Sequence, residues 1–275
     1  MRALQILAQW RNLGDSPAWL RHGLPNAVTV LALFVGLTGL TFAAGDNIEA
    51  AIFCTLLAAL LDACDGRVAR AAGTASRFGA ELDSLSDVIC FGAVPAFTLY
   101  RWGLWEYGGV GWLACLLLAG ACALRLARFN VASLDPERPS WTGQFFVGVP
   151  APAGAFLAHA PIFAANAGLF EPAVAILLAL GFLPLVAGLM VSTWPTFSGK
   201  AMGRQALRHR FPASTAALAV LGLGLVMAPW ATALVGAVAY VWTFPLSKWR
   251  HDILWRRNRV EIGPTFDAIV RRGES

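Results

Sequence analysis

The hydrophobic positions of this chain run together in long blocks, and the polar positions gather into short connections between them. A helix needs about 20 apolar residues to cross the hydrocarbon of a bilayer, and it satisfies its own backbone groups there. In chain order the blocks predict spans at about 25–44, 48–65, 76–100, 108–129, 147–165, 172–192, 212–228 and 230–246. Only Gly45, Asp46 and Asn47 separate the first two, which therefore form a tight antiparallel pair. Pro150, Pro152 and Pro161 interrupt the fifth, and a kink tolerated by neighbouring helices can shape a cavity. The last two are short, so six spans plus a re-entrant hairpin stand as the alternative to eight. Ahead of the first span, Leu4, Ile6, Leu7, Trp10 and Leu13 alternate with polar residues beside Arg2 and Arg11. That is the pattern of an amphipathic helix lying on a membrane, with a disordered tail as the alternative. The expected fold class is an all-α integral membrane protein, a helical bundle of about eight transmembrane helices with an N-terminal interfacial amphipathic helix. Its expected parts are a cytoplasmic interfacial segment (1–24), a membrane domain (25–246) and a basic cytoplasmic tail (247–275).

Composition agrees with this pattern, and charge orients it. Of 275 residues, 57% are hydrophobic and 13% charged, and mean hydropathy is +0.61. A net charge of +5 would admit nucleic acid as a partner, but its placement points elsewhere. With the N-terminus cytoplasmic, Arg2, Arg11 and Arg21 precede the first span; Arg67, Arg70 and Arg77 follow the second. Arg125, Arg128 and Arg138 close the fourth; Lys200, Arg204, Arg208 and Arg210 follow the sixth; the remainder follow the eighth. Of the 21 basic residues only Arg101 falls on the opposite side. Positive charge retained on the cytoplasmic side sets the orientation of membrane proteins. The expectation is a multi-pass protein of the cytoplasmic (inner) membrane, with both termini inside, anionic lipid headgroups as neighbours and no nucleic acid. The opening segment lacks the uninterrupted apolar core and cleavage site of a signal peptide. Cys54, Cys64, Cys90, Cys115 and Cys122 lie in or beside apolar segments without CxxC spacing, as expected of reduced, buried thiols. His159, alone on an apolar segment, reads as a buried packing residue.

Against that background the segment from Asp62 to Asp87 stands out, because carboxylates at membrane depth are costly unless paired. Asp62 and Asp65 are three apart and Asp83 and Asp87 four apart, so each pair projects from one helix face. Two such faces meeting would surround one point with oxygen ligands, a donor set that suits Mg2+ or Mn2+ better than zinc. Gly79 lies on the stripe of Asp83 and Asp87, where a ligand could approach the backbone, and Arg70 can supply a fixed charge for a phosphate. The plainer reading makes the aspartates helix caps and loop charges, but a cap needs one acid per helix end, not two per face.

Written out, the segment is Asp62-x2-Asp65-Gly66-x2-Ala69-Arg70-x8-Gly79-x3-Asp83-x3-Asp87. At each fixed position it resembles the signature of the CDP-alcohol phosphotransferases, integral membrane enzymes that move a phosphate-linked alcohol from a CDP carrier to a second alcohol. The resemblance implies that Asp62, Asp65, Asp83 and Asp87 hold two divalent cations, Mg2+ or Mn2+, and that Asp87 also takes the acceptor's proton. It implies that Gly66, Ala69 and Gly79 line the cytidine pocket, that Arg70 meets the diphosphate, and that the protein is a homodimer. Paired ions about 4 Å apart can clamp the attacking and leaving oxygens of an in-line displacement.

Three further stretches resemble the bacterial membrane-embedded phosphatidylserine synthases. They are Leu24–Thr29; Leu124–Asn130 followed by Phe146–Pro152; and Met190–Ser192 with Pro195–Lys200. The implied substrates are CDP-diacylglycerol and L-serine, and the implied products phosphatidylserine and CMP. A zwitterionic acceptor needs a cation for its carboxylate, which Arg125, Arg128 or Lys200 could supply, and Asn130 could hydrogen-bond it. Equally, the cations could anchor helix ends to headgroups or carbonyls, and Asn130 could cap its helix. The same chemistry with glycerol 3-phosphate, inositol phosphate or choline as acceptor is the nearest alternative. A cation transporter or a membrane scaffold stands further off.

Overall fold

The computed structural model describes residues 18–72, 76–133, 145–197 and 222–262. Helices α1 (Ala18–Ala44) and α2 (Ile48–Ala72) form the expected hairpin. Asp46 takes the left-handed conformation (φ 62°) that lets the chain reverse within a few residues. Asn47 Oδ1 accepts the Ala50 N–H at 3.1 Å and so starts α2. The two helices pack on small residues, with Ala32, Ala43, Ala51 and Ala58 all buried, which allows backbones in a membrane to approach closely.

The third expected span is not a uniform helix. Ser76 opens α3 (Arg77–Asp87) by accepting the Gly79 N–H at 3.0 Å. Immediately after Asp87 the chain widens into a π turn (Val88–Ala93) and then resumes as α4 (Val94–Trp102). Pro95 gives the cause: it has no N–H to offer the preceding turn, and the Val94 N–H reaches back to the Ile89 carbonyl instead. The π turn presses Cys90, Phe91 and Gly92 into the interior, where Gly92 lies so close to Cys122 that a Cβ would sit 3.1 Å from it. A short 3-10 turn (Leu104–Tyr107) leads to α5 (Gly108–Ser133).

The fifth expected span is likewise broken. Val147 ends a strand, β1 (Phe145–Val147), and two short helices follow, α6 (Ala151–Ala158) and α7 (Ala160–Asn166), meeting at His159. Pro161 withholds the N–H that would continue the ladder across that junction. His159 is completely buried, as its sequence context suggests. Helix α8 (Pro172–Val191) comes next, then β2 (Pro195–Phe197) and α9 (Pro229–Ile262). The strands pair antiparallel, Phe146 opposite Thr196, so they tie the approach to α6 to the exit from α8. Gly148 makes that crossing with φ 75°, its α-carbon against the Met190 carbonyl, a position no side chain fits.

Among the described residues, five stretches are long and apolar enough to span a membrane: Asn26–Ala44, Arg77–Trp102, Leu104–Ala132, Pro172–Val191 and Pro229–Leu254. Helix α2 has the length but carries the aspartates. Of the expected span at 212–228 only residues 222–228 are described, 222–227 as helix, and the expected interfacial helix near the N-terminus lies outside the described residues. At 34 residues α9 rises about 51 Å, well beyond a hydrocarbon layer of about 30 Å, so it runs without a break past residue 246. Four of the five cysteines are buried, whereas Cys64 is exposed, as is its neighbour Ala63, which corrects the expectation for that thiol: this side of α2 meets no other helix among the described residues. At the end of the bundle formed by the α1–α2 turn and the close of α4, the lone outlying Arg101 pairs with Asp46 at 2.6 Å.

Candidate active site

The opposite end of the α1–α2 hairpin holds the aspartates. Helix periodicity turns Asp62 and Asp65 of α2 toward α3, and Asp83 and Asp87 of α3 toward α2. All four line one narrow cleft, with Thr29 of α1 beside them. One carboxylate oxygen each from Asp62, Asp83 and Asp87 lies within 4.8 Å of the others. Asp65 lines the same cleft outside that trio: it is buried, and its Oδ2 accepts a hydrogen bond from Thr29 Oγ1 at 2.8 Å. The structure thus brings three of the four expected ligands to one point and keeps the fourth against α1.

This arrangement fits a divalent cation. The carboxyl groups of Asp62 and Asp83 are in hydrogen-bonding contact, and two carboxylate oxygens meet only with a proton or a cation between them. Three half-buried acids supply hard oxygen donors and no soft ones, the set preferred by Mg2+ or Mn2+. Asp87, the last residue before the π turn, ends the regular part of α3.

The remaining expected residues fall into three groups. Gly66, Ala69 and Arg70 occupy the last turns of α2 beyond Asp65; the side chains of Ala69 and Arg70 lie outside the described residues, as does Lys200. Gly79 sits in the first turn of α3, where a Cβ would stand 3.0 Å from Asn26 Oδ1, so α1 closes against it. Arg125 is buried, 8% exposed, within electrostatic reach of Asp87 and Asp62. Arg128 instead donates to the Val191 carbonyl at 2.7 Å and holds the C-terminal end of α8, the anchoring role weighed for it from sequence. Asn130 exchanges hydrogen bonds with Ser84 (3.0 Å from Nδ2) and donates to Glu81 Oε2 (3.4 Å), tying α5 to α3 on the face flanking Asp87.

Two features of the site were not legible as such. Thr29 belongs to a stretch singled out by resemblance, yet only the folded α1–α2 pair reveals that its hydroxyl holds Asp65, 36 residues away. The π turn had a visible cause in Pro95, seven residues before the end of α4, but the register change is invisible to periodicity.

Comparison with known proteins now bears on this geometry. Residues 22–194 match the family model described as CDP-alcohol phosphatidyltransferase. The chain belongs to that family. The match takes in all four aspartates, Arg125, Arg128 and Asn130, and ends before Lys200 and α9. Among curated relatives, the CDP-diacylglycerol–serine O-phosphatidyltransferase of Mycobacterium leprae (strain TN) is 49% identical over 132 residues, 48% of this chain and 44% of that protein. The protein of the same name from Helicobacter pylori (strain J99) is 34% identical over 175 residues, 63% of this chain and 72% of the relative. That of Methanocaldococcus jannaschii is 36% identical over 153 residues, 56% of this chain and 67% of the relative. The chain thus spans less than half the length of the mycobacterial relative it matches.

Proposed function

We propose that the protein transfers a phosphatidyl group from CDP-diacylglycerol to the hydroxyl of L-serine, giving phosphatidylserine and CMP. The observation that carries this reading is the meeting of Asp62, Asp83 and Asp87 within 4.8 Å in a chain of the CDP-alcohol phosphatidyltransferase family. The choice of serine is supported by relatives of two bacterial genera and an archaeon that carry the serine enzyme's name. Family membership favours group transfer over cation transport, which would spread its acids along the membrane depth rather than gather them on two adjacent helices.

In this reading Asp62, Asp65, Asp83 and Asp87 hold two ions, Mg2+ or Mn2+. When bound, such ions neutralise charge on the phosphate oxygens and on the departing CMP. The serine hydroxyl oxygen attacks the phosphorus that bears diacylglycerol, the bond to the CMP oxygen breaks, and the hydroxyl proton passes to a carboxylate oxygen of Asp87. Thr29 keeps Asp65 turned into the cleft. Gly66, Ala69 and Gly79 line the cytidine pocket and Arg70 meets the diphosphate, as the family signature implies. Arg128 and Asn130 brace the helices that carry the site. The basic residues that flank the aspartate end favour a reaction at the cytoplasmic face of the inner membrane, and the family signature implies a homodimer.

The decisive experiment incubates purified protein with Mn2+ or Mg2+, CDP-diacylglycerol and, in turn, L-serine, glycerol 3-phosphate, inositol phosphate and choline. CMP release that depends on serine, with phosphatidylserine as the lipid product, is the expected result. Release with another alcohol and none with serine removes serine as the acceptor.

A further inference from the structure

Arg125 of α5 lies beside the aspartates, and Tyr240 of α9 lies within its electrostatic reach. Arg125 Nε is buried and has no hydrogen-bond partner among the described residues, and the guanidinium forms no ion pair there. The Tyr240 hydroxyl is also buried and also without a hydrogen-bond partner, and the two groups lie within electrostatic reach of each other. Thr196 stands near the phenol with its own proton on the Gly148 carbonyl at 2.8 Å, and its oxygen lies outside hydrogen-bonding geometry with the Tyr240 hydroxyl. The tyrosine ring packs edge-on against Phe244 at 5.2 Å. Two buried donors that lack an acceptor are costly, and an anionic group that reached both would satisfy them.

We infer that Arg125 and Tyr240 form an anion subsite and that, given the transfer proposed above, it takes the carboxylate of the acceptor amino acid. Position argues for the acceptor over the lipid diphosphate. Arg125 reaches Asp87, the proposed base, and in serine the carboxylate carbon is only three bonds from the hydroxyl oxygen that must meet that base. The diphosphate is expected at Arg70, on the far turn of α2. Tyr240 also lies beyond residues 22–194, so the family's shared segment supplies the transfer chemistry while α9 adds a contact that reads the acceptor.

The test compares full-length wild type and Tyr240→Phe, a change that deletes one unpartnered oxygen and leaves the ring packing in place. With CDP-diacylglycerol and Mn2+, KM for L-serine rises about tenfold or more, the range for losing a hydrogen bond to a charged group. At the same time kcat changes less than threefold and KM for CDP-diacylglycerol stays unchanged. A rise in KM for CDP-diacylglycerol instead assigns the subsite to the diphosphate and overturns the proposal. An unchanged KM for serine means that water alone fills the gap, and a fall in kcat with no change in either KM means a structural role; each also overturns it. A wild type that releases CMP with another alcohol and never with serine removes the transfer reading itself, and this inference with it.

Discussion

Asp83→Asn separates a metal-holding cluster from an incidental gathering of acids, because it moves stability and activity in opposite directions. The trio of carboxylate oxygens lies within 4.8 Å. At that distance, in an effective dielectric of about 20, two full charges repel by about 3.5 kcal/mol. Without metal, the Asp62–Asp83 contact needs a shared proton, which leaves the repulsion toward Asp87 in place. An asparagine of the same shape keeps that contact without a proton and donates directly to Asp62, so the variant escapes the Asp62–Asp83 repulsion that the wild type relieves only by taking up a proton. Relaxation and water reduce the gain to about 1–3 kcal/mol, or a rise in melting temperature of about 2–10 °C in chelator. With Mn2+ present the order reverses: the wild type gains stability and the variant loses most of that shift. Activity drops on the order of 10^2-fold or more, as for a lost ligand. The assay is a pair of melting curves in detergent, with chelator and with Mn2+, beside serine-dependent CMP release. A variant that melts lower in chelator and keeps the full Mn2+ shift would refute the reasoning, and so would activity within threefold of wild type.

Other expectations follow from the same contacts. Thr29→Val deletes the 2.8 Å hydrogen bond to Asp65, and the Mn2+ concentration for half-maximal thermal shift rises about tenfold, a bond to a charged group contributing about 1.5–3 kcal/mol; an unchanged titration would show that Asp65 needs no such support. Arg128→Gln frees the Val191 carbonyl and lowers stability by about 1 kcal/mol, read as a lower melting temperature, while KM for serine stays within twofold; a large rise in that KM would return Arg128 to acceptor binding. Cys64→Ser, at an exposed thiol outside the cleft, leaves CMP release unchanged, and loss of activity there contradicts the placement.

Much about this protein could be read from one dimension. Blocks of apolar residues determine that helices cross a membrane, since no other open structure satisfies its backbone in lipid. The three- and four-residue spacings of Asp62, Asp65, Asp83 and Asp87 determine that each pair shares a helix face, because that periodicity is a property of the helix itself. Contacts between distant segments have no such local signal. That Asp65 turns to Thr29 while the other three converge depended on how closely Ala32 and Ala58 let α1 approach α2. Arg125 and Arg128 are three residues apart with the same charge, yet one is buried beside the aspartates and the other clamps the end of α8; which face of α5 meets which neighbour decided their roles. Tyr240 comes within electrostatic reach of Arg125 across 115 positions for the same reason: packing of α9 against the bundle, not any pattern within it, sets their separation.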